Sequence, residues 1–532
     1  MATKRPPLTT VLRRAGAIEA RSTLAHIAAL PRLIGRGASL GHLSHINARA
    51  FGDKPAIHDR RGTLSWRELD ARANRLARGL AAKRVGPGDR VAALLRNGRE
   101  LIEVFVACQK IAAVPCPLNT WGKTAELRSA FENARPKFLV YETQHGSQIE
   151  GAAPKDLARV AVGDDSDDGY EKLLAAHSSR PLPPVTLHRS APRLVIHTSG
   201  TTGRPKGAKR ATGIQDARRL MALLSVVPYH RQDVILVPPP MFHSFGILNF
   251  TIAAVLGSTL VLPERFDPEE SFELIERHAV TVAAFTPVML HRLVSLPETE
   301  RRADISSLRV TLVSGSSLPP SLRERAREFL GETLYDLYGS TEAGWVAIAT
   351  PEDVAKHPDS VGRPVPGVDV VVLGKEGEPL SAGEIGSLHI RSDMKFEGYT
   401  GGEETTERDG LFGLGDLGHL DDEGYLHVEG RADDMVVVGG ENVYPIEIEE
   451  VIRRLESVDD VAVAGAPDAE YGRVLVAFVV GDVTEERLLE ACRESLASYK
   501  VPKRVERVAE LPRTSTGKVL IRELVASLEK KE

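Results

Sequence analysis

The sequence predicts an α/β fold: a large amino-terminal domain of α/β subdomains with a β-rich section, then a small α+β domain at the carboxyl end. Three observations carry that expectation. From about residue 45, short β-rich runs alternate with helical patterns over several hundred residues, the mark of largely parallel sheets with crossover helices. After residue 360 the texture changes, and Gly, Asp and Glu become frequent around short strands. Beyond residue 430 come amphipathic helices and strands of a separate small unit. With 532 residues, more than one core is expected. The expected divisions are an arm over 1–44, a main domain over 45–430 and a carboxyl-terminal domain over 431–532.

The arm is basic and amphipathic. Lys4, Arg5, Arg13, Arg14, Arg21, Arg32 and Arg36 face one acid, Glu19, and are interleaved with Leu8, Leu12, Leu24, Ile27, Leu30, Leu33 and Ile34. Such a segment either lies on an anionic membrane surface or packs on the body with its charges in solvent. Next, Ser65 and Glu68 have capping-box spacing, and Leu69, Ala73, Leu76 and Leu80 follow on one helical face. Residues 91–95 read as a buried strand and 100–112 as a helix. Further strands are expected at 194–196, 234–237, 259–262, 280–285 and 310–313. The apolar stretch 247–262 is broken by Asn249, Thr251, Gly257 and Ser258, so a buried helix and strand are expected there, not a membrane span. Strands at 387–390 and 425–428 flank the turn at 421–424. The last domain has helices at 445–455 and 485–496 and strands at 461–464 and 474–480.

Apolar content of 42%, charged content of 27% and a net charge of −5 describe a globular chain without the basic excess of a nucleic-acid binder. Cys108, Cys116 and Cys492 lack metal-ligand spacing and fit a reduced compartment. No secretory leader is evident. A cytoplasmic location is expected, with the arm as a candidate peripheral membrane contact; an oligomer is compatible with the sequence.

Four stretches are candidates for chemistry. Residues 197–210, HTSGTTGRPKGAKR, hold Gly200, Gly203 and Gly207, whose bare backbone lets N–H groups approach an anion. Thr198, Ser199, Thr201 and Thr202 add hydroxyls, and Lys206 adds a charge. The Walker A spacing is absent, and a polar turn is the alternative. Tyr338–Gly339–Ser340–Thr341–Glu342 follows a strand-like run, where a carboxylate is suited to holding Mg²⁺ against phosphate oxygens. Gly415–Asp416 offers an acid to a ribose diol. Finally, 512–518 (PRTSTGK) puts Lys518 on a flexible loop. A surface acid, a turn Asp and a solvated Lys are the plain alternatives.

Taken in order, these stretches resemble the adenylate-forming superfamily of acyl-CoA synthetases, adenylation domains and luciferases. The resemblance covers about 45–530 and includes HTSGTTGRPKG, PPPMFHSFG at 238–246, YGSTEAG at 338–344, GRADDMVVVGGENVYPIEIEEV at 430–451, YKVPKRV at 499–505 and PRTSTGK. It implies the adenylate-forming enzyme fold with a mobile small domain, and two half-reactions. A carboxylate attacks the α-phosphate of ATP to give acyl-adenylate and pyrophosphate, and the thiol of coenzyme A then displaces AMP. By resemblance, Thr198, Ser199, Gly200, Thr201, Thr202, Gly203 and Lys206 embrace the β- and γ-phosphates, and Thr198 and Glu342 hold Mg²⁺. Gly315, Ser316, Asp336, Leu337, Tyr338 and Gly339 form the adenine slot, Thr341 meets the α-phosphate, and Asp416 and Arg431 bind ribose. Lys518 bridges the carboxylate and α-phosphate oxygens, neutralising charge in the transition state. Asp433 matches the hinge, and Gly439, Gly440 and Glu441 line the coenzyme A tunnel. Leu414 and Val437 depart from the usual residues, and the slot sequence Ser314–Gly315–Ser316–Ser317 lacks a common second glycine.

His243 stands where amino-acid-activating relatives carry Asp, which argues against an amino-acid substrate; by resemblance it gates the acyl pocket, and a packed core histidine is the alternative. Gly339 replaces the Trp that closes acetate pockets, leaving room for a longer acid walled by Val288, Met289 and Phe245. The leading expectation is a coenzyme A ligase for medium- or long-chain fatty acids. The alternatives are an aryl-CoA ligase, an acyl-AMP ligase, or a catalytically silent nucleotide- or lipid-binding protein.

Overall fold

In the computed structural model, the first long helix begins where the sequence supplies its own cap. The backbone N–H of Ser65 donates to Glu68 Oε2 at 2.8 Å and Glu68 N–H donates to Ser65 Oγ at 3.3 Å, opening the helix Trp66–Ala82. Leu69, Ala73, Leu76 and Leu80 are all 0% exposed, the face the spacing predicts. The structure describes residues 7–16, 39–163, 169–183, 194–198, 206–210, 214–297, 299, 303–340, 343–392, 407–408, 410–432, 435–438, 441–468, 472–514 and 517–529.

The strand Arg90–Leu94 pairs in parallel with Val114–Pro117 and Phe138–Glu142, and Ala158–Val162 completes a four-stranded parallel sheet. The helix Arg99–Lys110 is buried along its whole length, charges included. Glu103 is held by Arg72 Nε at 2.5 Å and by the hydroxyl of Tyr170 at 2.6 Å. Burial, with Glu103 nearby, pushes Glu100 up to about 7 although Arg61 opposes it.

The second sheet has nine strands. Its order is Arg363–Pro364, Gly344–Ala349, Leu334–Ser340, Val310–Val313, Val282–Phe285, Val234–Leu236, Thr259–Val261, Pro55–Asp59, Gly62–Ser65. From Leu334–Ser340 to Pro55–Asp59 every neighbouring pair is parallel. The stretch expected to be helix then strand is the helix Ser244–Leu256, ended by Gly257 at φ +71, and the strand Thr259–Val261. Asn249 is accommodated inside by the hydroxyl of Tyr229 at 2.9 Å.

One expected strand behaves differently. Leu194–Thr198 joins neither parallel sheet; it pairs antiparallel with Lys206–Arg210, so residues 199–205 connect the two strands of a hairpin. Val195 anchors this hairpin in a small apolar cluster with Val114 and Cys116.

The β-rich section is an antiparallel sheet of Val368–Leu373, Gly386–Ser392, Leu411–Leu420, Leu426–Arg431 and the short Glu407–Arg408. The small unit is built on Val458–Asp468, Gly472–Gly481 and Arg504–Arg507. Period-two alternation sends Val461 and Val463 into one apolar layer with Ile448, Ile452 and Leu488, and Ala462 and Ala464 into another with Leu524 and Leu528. Helices therefore cover both faces.

The described part of the amino-terminal arm packs on the body. Val11 and Ala15 are each 2% exposed, Arg231 donates to the carbonyls of Ala15 and Gly16, and Arg13 and Arg14 face solvent. Among the described residues no helix is long and apolar enough to cross a membrane.

Candidate active site

The chain leaves Val234–Leu236 for Thr259–Val261 on one side, then crosses back to Val282–Phe285 on the other. Connections diverge between Val234–Leu236 and Val282–Phe285, and a crevice beyond the carboxyl ends of such strands is where open α/β sheets bind ligands. Residues 237–243 and 286–288 flank it, and the neighbouring strands add Ser314, Gly315, Tyr338 and Gly339.

Two of these strand ends are fastened together. Ser314 Oγ donates to Leu337 O at 2.8 Å, and Gly315 turns out of the sheet at φ +109, a backbone conformation suited to glycine. Ser316 follows, half-buried. Asp336 has its carboxylate buried against Arg323 at 2.5 Å, and Arg323 also holds the carbonyl of Pro358 at 2.6 Å. The Asp336 side chain therefore braces the strand, which leaves its backbone for any contact in an adenine slot.

Tyr338, Asp416 and Arg431 come together from distant parts of the chain. The Tyr338 hydroxyl donates to Asp416 Oδ2 at 2.5 Å, and Arg431 Nη1 lies 3.3 Å from Asp416 Oδ1. Asp416 and Arg431 are directly opposed on paired strands, and Gly415 (φ +74) leaves space beside the guanidinium. Burial, reinforced by the Asp416 charge, pushes the Tyr338 phenol far above its usual range, so it stays a proton donor. A half-buried carboxylate held between a phenol and a guanidinium is a preformed acceptor for a diol. Leu414, where the usual Thr is missing, packs against the main apolar core.

Lys518 is exposed on a loop that reaches the crevice. The loop closes on itself: Thr514 N–H donates to Lys518 O at 2.8 Å, Lys518 N–H to Thr514 Oγ1 at 3.1 Å, and Gly517 N–H to Thr514 O at 2.8 Å. Arg513 fixes it to the small domain through the Gly517 carbonyl at 2.5 Å and Asp460 at 2.6 Å. Gly517, at φ +85, lies so close to the helix Pro287–Val294 that a Cβ on it would stand 2.4 Å from Val288 Cγ1. Glu450 of the small domain accepts the Ser321 N–H at 3.1 Å, at the amino end of the helix Pro320–Leu330.

His243 precedes the helix Ser244–Leu256, its ring 4.5 Å from that of Phe242, and burial pushes its pKa down to about 4. It is neutral near pH 7. Trp121 meets Phe242 edge-on at 6.4 Å. Gly339 also answers to its own backbone: a Cβ there would lie 2.1 Å from Gly344 O and 2.9 Å from Trp345 Cα, so close strand approach favours glycine here independently of the acyl pocket.

A family model for AMP-binding enzymes matches residues 45–400, and one for the AMP-binding enzyme C-terminal domain matches 447–518. The chain belongs to this adenylate-forming family. A feruloyl-CoA synthase of an Amycolatopsis species is 34% identical over 494 residues, 91% of this chain and 98% of that protein. The long-chain-fatty-acid–CoA ligase FadD13 of Mycobacterium tuberculosis is 32% identical over 470 residues, 86% of this chain and 92% of its own. The crystal structure of ATP-bound MatB from Rhodopseudomonas palustris is similar with a TM-score of 0.83 and 28% identity, covering 93% of this chain and 100% of that one.

Several residues matched to the motifs of this AMP-binding family lie outside the described residues: Ser199, Gly200, Thr201, Thr202, Gly203, Thr341, Glu342, Asp433, Gly439 and Gly440. Thr198, Lys206 and Glu441 are placed as backbone only, at strand positions. Among the described residues no cluster of three or more His, Cys, Asp or Glu side chains is arranged to hold a metal. Arg323, Asn97 and the Gly517–Val288 contact escaped the sequence reading. Each is an isolated residue whose partner is distant in sequence.

Proposed function

We propose that this chain is an AMP-forming ligase that activates an apolar carboxylic acid with ATP and passes the acyl group to coenzyme A. In the first step a carboxylate oxygen attacks the α-phosphorus, the bond to the β-phosphate oxygen breaks, and pyrophosphate leaves. In the second, the sulfur of coenzyme A attacks the acyl carbon, the bond to the AMP oxygen breaks, and the thiol proton is released. The observation that carries the reading is the Lys518 loop seated on Val288 beside the strand ends that carry Tyr338 and Gly315. A cation there neutralises charge as the carboxylate meets the phosphate, which is the main demand of phosphoryl-type transfer.

Asp416 and Arg431 are proposed to hold the ribose, with Tyr338 fixing the carboxylate. Gly315, Ser316, Asp336, Leu337, Tyr338 and Gly339 would line the adenine, Asp336 through its backbone. Residues 198–206 would grip the outer phosphates, with Mg²⁺ on Thr198 and Glu342, and Thr341 on the α-phosphate. Gly439, Gly440 and Glu441 are proposed for the coenzyme A passage, Asp433 for the hinge, and His243 for the acyl entrance.

For the acid, a medium- or long-chain fatty acid fits apolar walls at Val288, Met289 and Phe245. An aromatic acid is the second reading, favoured by the likeness to a feruloyl-CoA synthase at 34% identity. Carboxylates from acetate to long-chain and aromatic acids, each supplied with ATP and coenzyme A, test both. Fatty acyl thioesters identified by mass support the first reading and aryl thioesters the second. ATP-dependent acyl-adenylate without thioester would contradict the coenzyme A step.

A further inference from the structure

Residues 238–240 are three consecutive prolines, so none has an N–H with which to brace the turn they make. Residues 237–241 are nonetheless buried, and buried carbonyls need donors. Asn97, on the loop after the strand Arg90–Leu94, meets that need. Its Nδ2 donates to Pro239 O at 3.0 Å and Val237 O at 3.2 Å, and its Oδ1 accepts the Met241 N–H at 2.9 Å. At 7% exposure, solvent cannot replace it.

The loop that carries Asn97 is itself held on both flanks. Arg96 pairs with Glu142 at 2.9 Å and with Glu264 at 2.8 Å, and Arg99 N–H donates to Asp59 at 2.9 Å. The far side of the turn is also full. A Cβ on Gly246 would come within 2.9 Å of both Met241 Cα and Pro240 O, and His243 N–H donates back to Pro240 O at 3.1 Å. Asn97 thus fastens the carboxyl edge of the four-stranded sheet to the segment that delivers Phe242 and His243.

We infer that Asn97 is a positioning residue for His243, clamping the 238–241 turn and so fixing where the imidazole stands beside the crevice. The inference rests on the proposed role of His243 at the acyl entrance.

The test is a double-mutant cycle on the full chain, read as thioester formation with short and long acids. Asn97→Asp keeps an acceptor for Met241 N–H and turns a carboxylate oxygen on Pro239 O. It is expected to lose about tenfold or more in kcat/KM for the acid, the scale of one misplaced group. Acid selectivity shifts while KM for ATP stays unchanged, and the melting temperature falls, because a buried carboxylate now faces carbonyl oxygens that have lost their donor. In a His243→Ala background the same change costs nothing further. Should the aspartate variant not fold, Asn97→Ser carries the cycle. Losses that multiply, or full activity of the Asn97 variant beside a damaged His243→Ala, overturn the inference alone. Wild-type activity and selectivity of His243→Ala overturn it together with the His243 reading.

Discussion

Gly517 stands so close to Val288 that a single added carbon would lie 2.4 Å from the valine's Cγ1, and its φ of +85 is one that L side chains avoid. Gly517→Ala therefore carries a backbone cost of about 1–2 kcal/mol plus the clash. The expected outcome is a loss of at least about tenfold in carboxylate-dependent ATP–pyrophosphate exchange. Conversion of supplied acyl-adenylate to thioester should stay near wild type. Val288→Ala in the same chain should recover part of the exchange by relieving the clash.

Tyr338 and Arg431 share Asp416 between them, one on each carboxylate oxygen. Tyr338→Phe removes one hydrogen bond to a charged group, worth about 1.5–3 kcal/mol. Its KM for ATP should rise by about tenfold or more at that energy, with little change in KM for the acid. Asp416→Ala should cost more. Equal effects on both substrates would contradict a ribose role.

Arg323 and Asp336 form a buried ion pair with both side chains almost fully enclosed. Burial raises the Asp336 pKa, and Arg323 opposes that rise. Arg323→Ala leaves the carboxylate without its cation and should destabilise the fold by about 3–5 kcal/mol, the scale for breaking such a pair. Denaturant unfolding measures this, and Asp336→Asn should be the milder change.

His243 is pushed down to about 4 by burial. Between that value and its ordinary 6.5 the unfolded chain binds the proton and the folded chain does not, so this group's contribution to stability rises with pH across that window. Glu100, pushed up to about 7, acts with the opposite sign above 4.5. The difference between wild type and His243→Phe isolates the histidine. The variant should lose less stability on going from pH 7 to pH 5, by on the order of 1–2 kcal/mol in denaturant titrations.

The capping box at Ser65 and the apolar stripe behind it were legible because their partners lie within one helical turn. The buried strands were legible because a run such as 310–313 has the period and composition of a parallel strand. The hairpin of Leu194–Thr198 with Lys206–Arg210 was not, since a short apolar run does not name its pairing partner. Nor was the close approach of Gly344 O to Gly339, which is set by the pairing of two strands. The helix Arg99–Lys110 hides charges that pair with Arg72, Asp59 and Asp70, contacts set only by tertiary packing. The same holds for Asp416 opposite Arg431, where two turn-rich stretches meet by register. For Asn97, a run of three prolines needing outside donors was the signal available.

The role proposed for Lys518 is to serve the joining of carboxylate to the α-phosphate. It is tested most directly by exchange of labelled pyrophosphate into ATP, dependent on added carboxylate, in wild type and Lys518→Ala. Exchange in the wild type should fall by about a hundredfold or more in the variant, as for loss of a transition-state charge contact. The variant should still convert supplied acyl-adenylate and coenzyme A to thioester. Undiminished exchange by Lys518→Ala would contradict that role for the lysine.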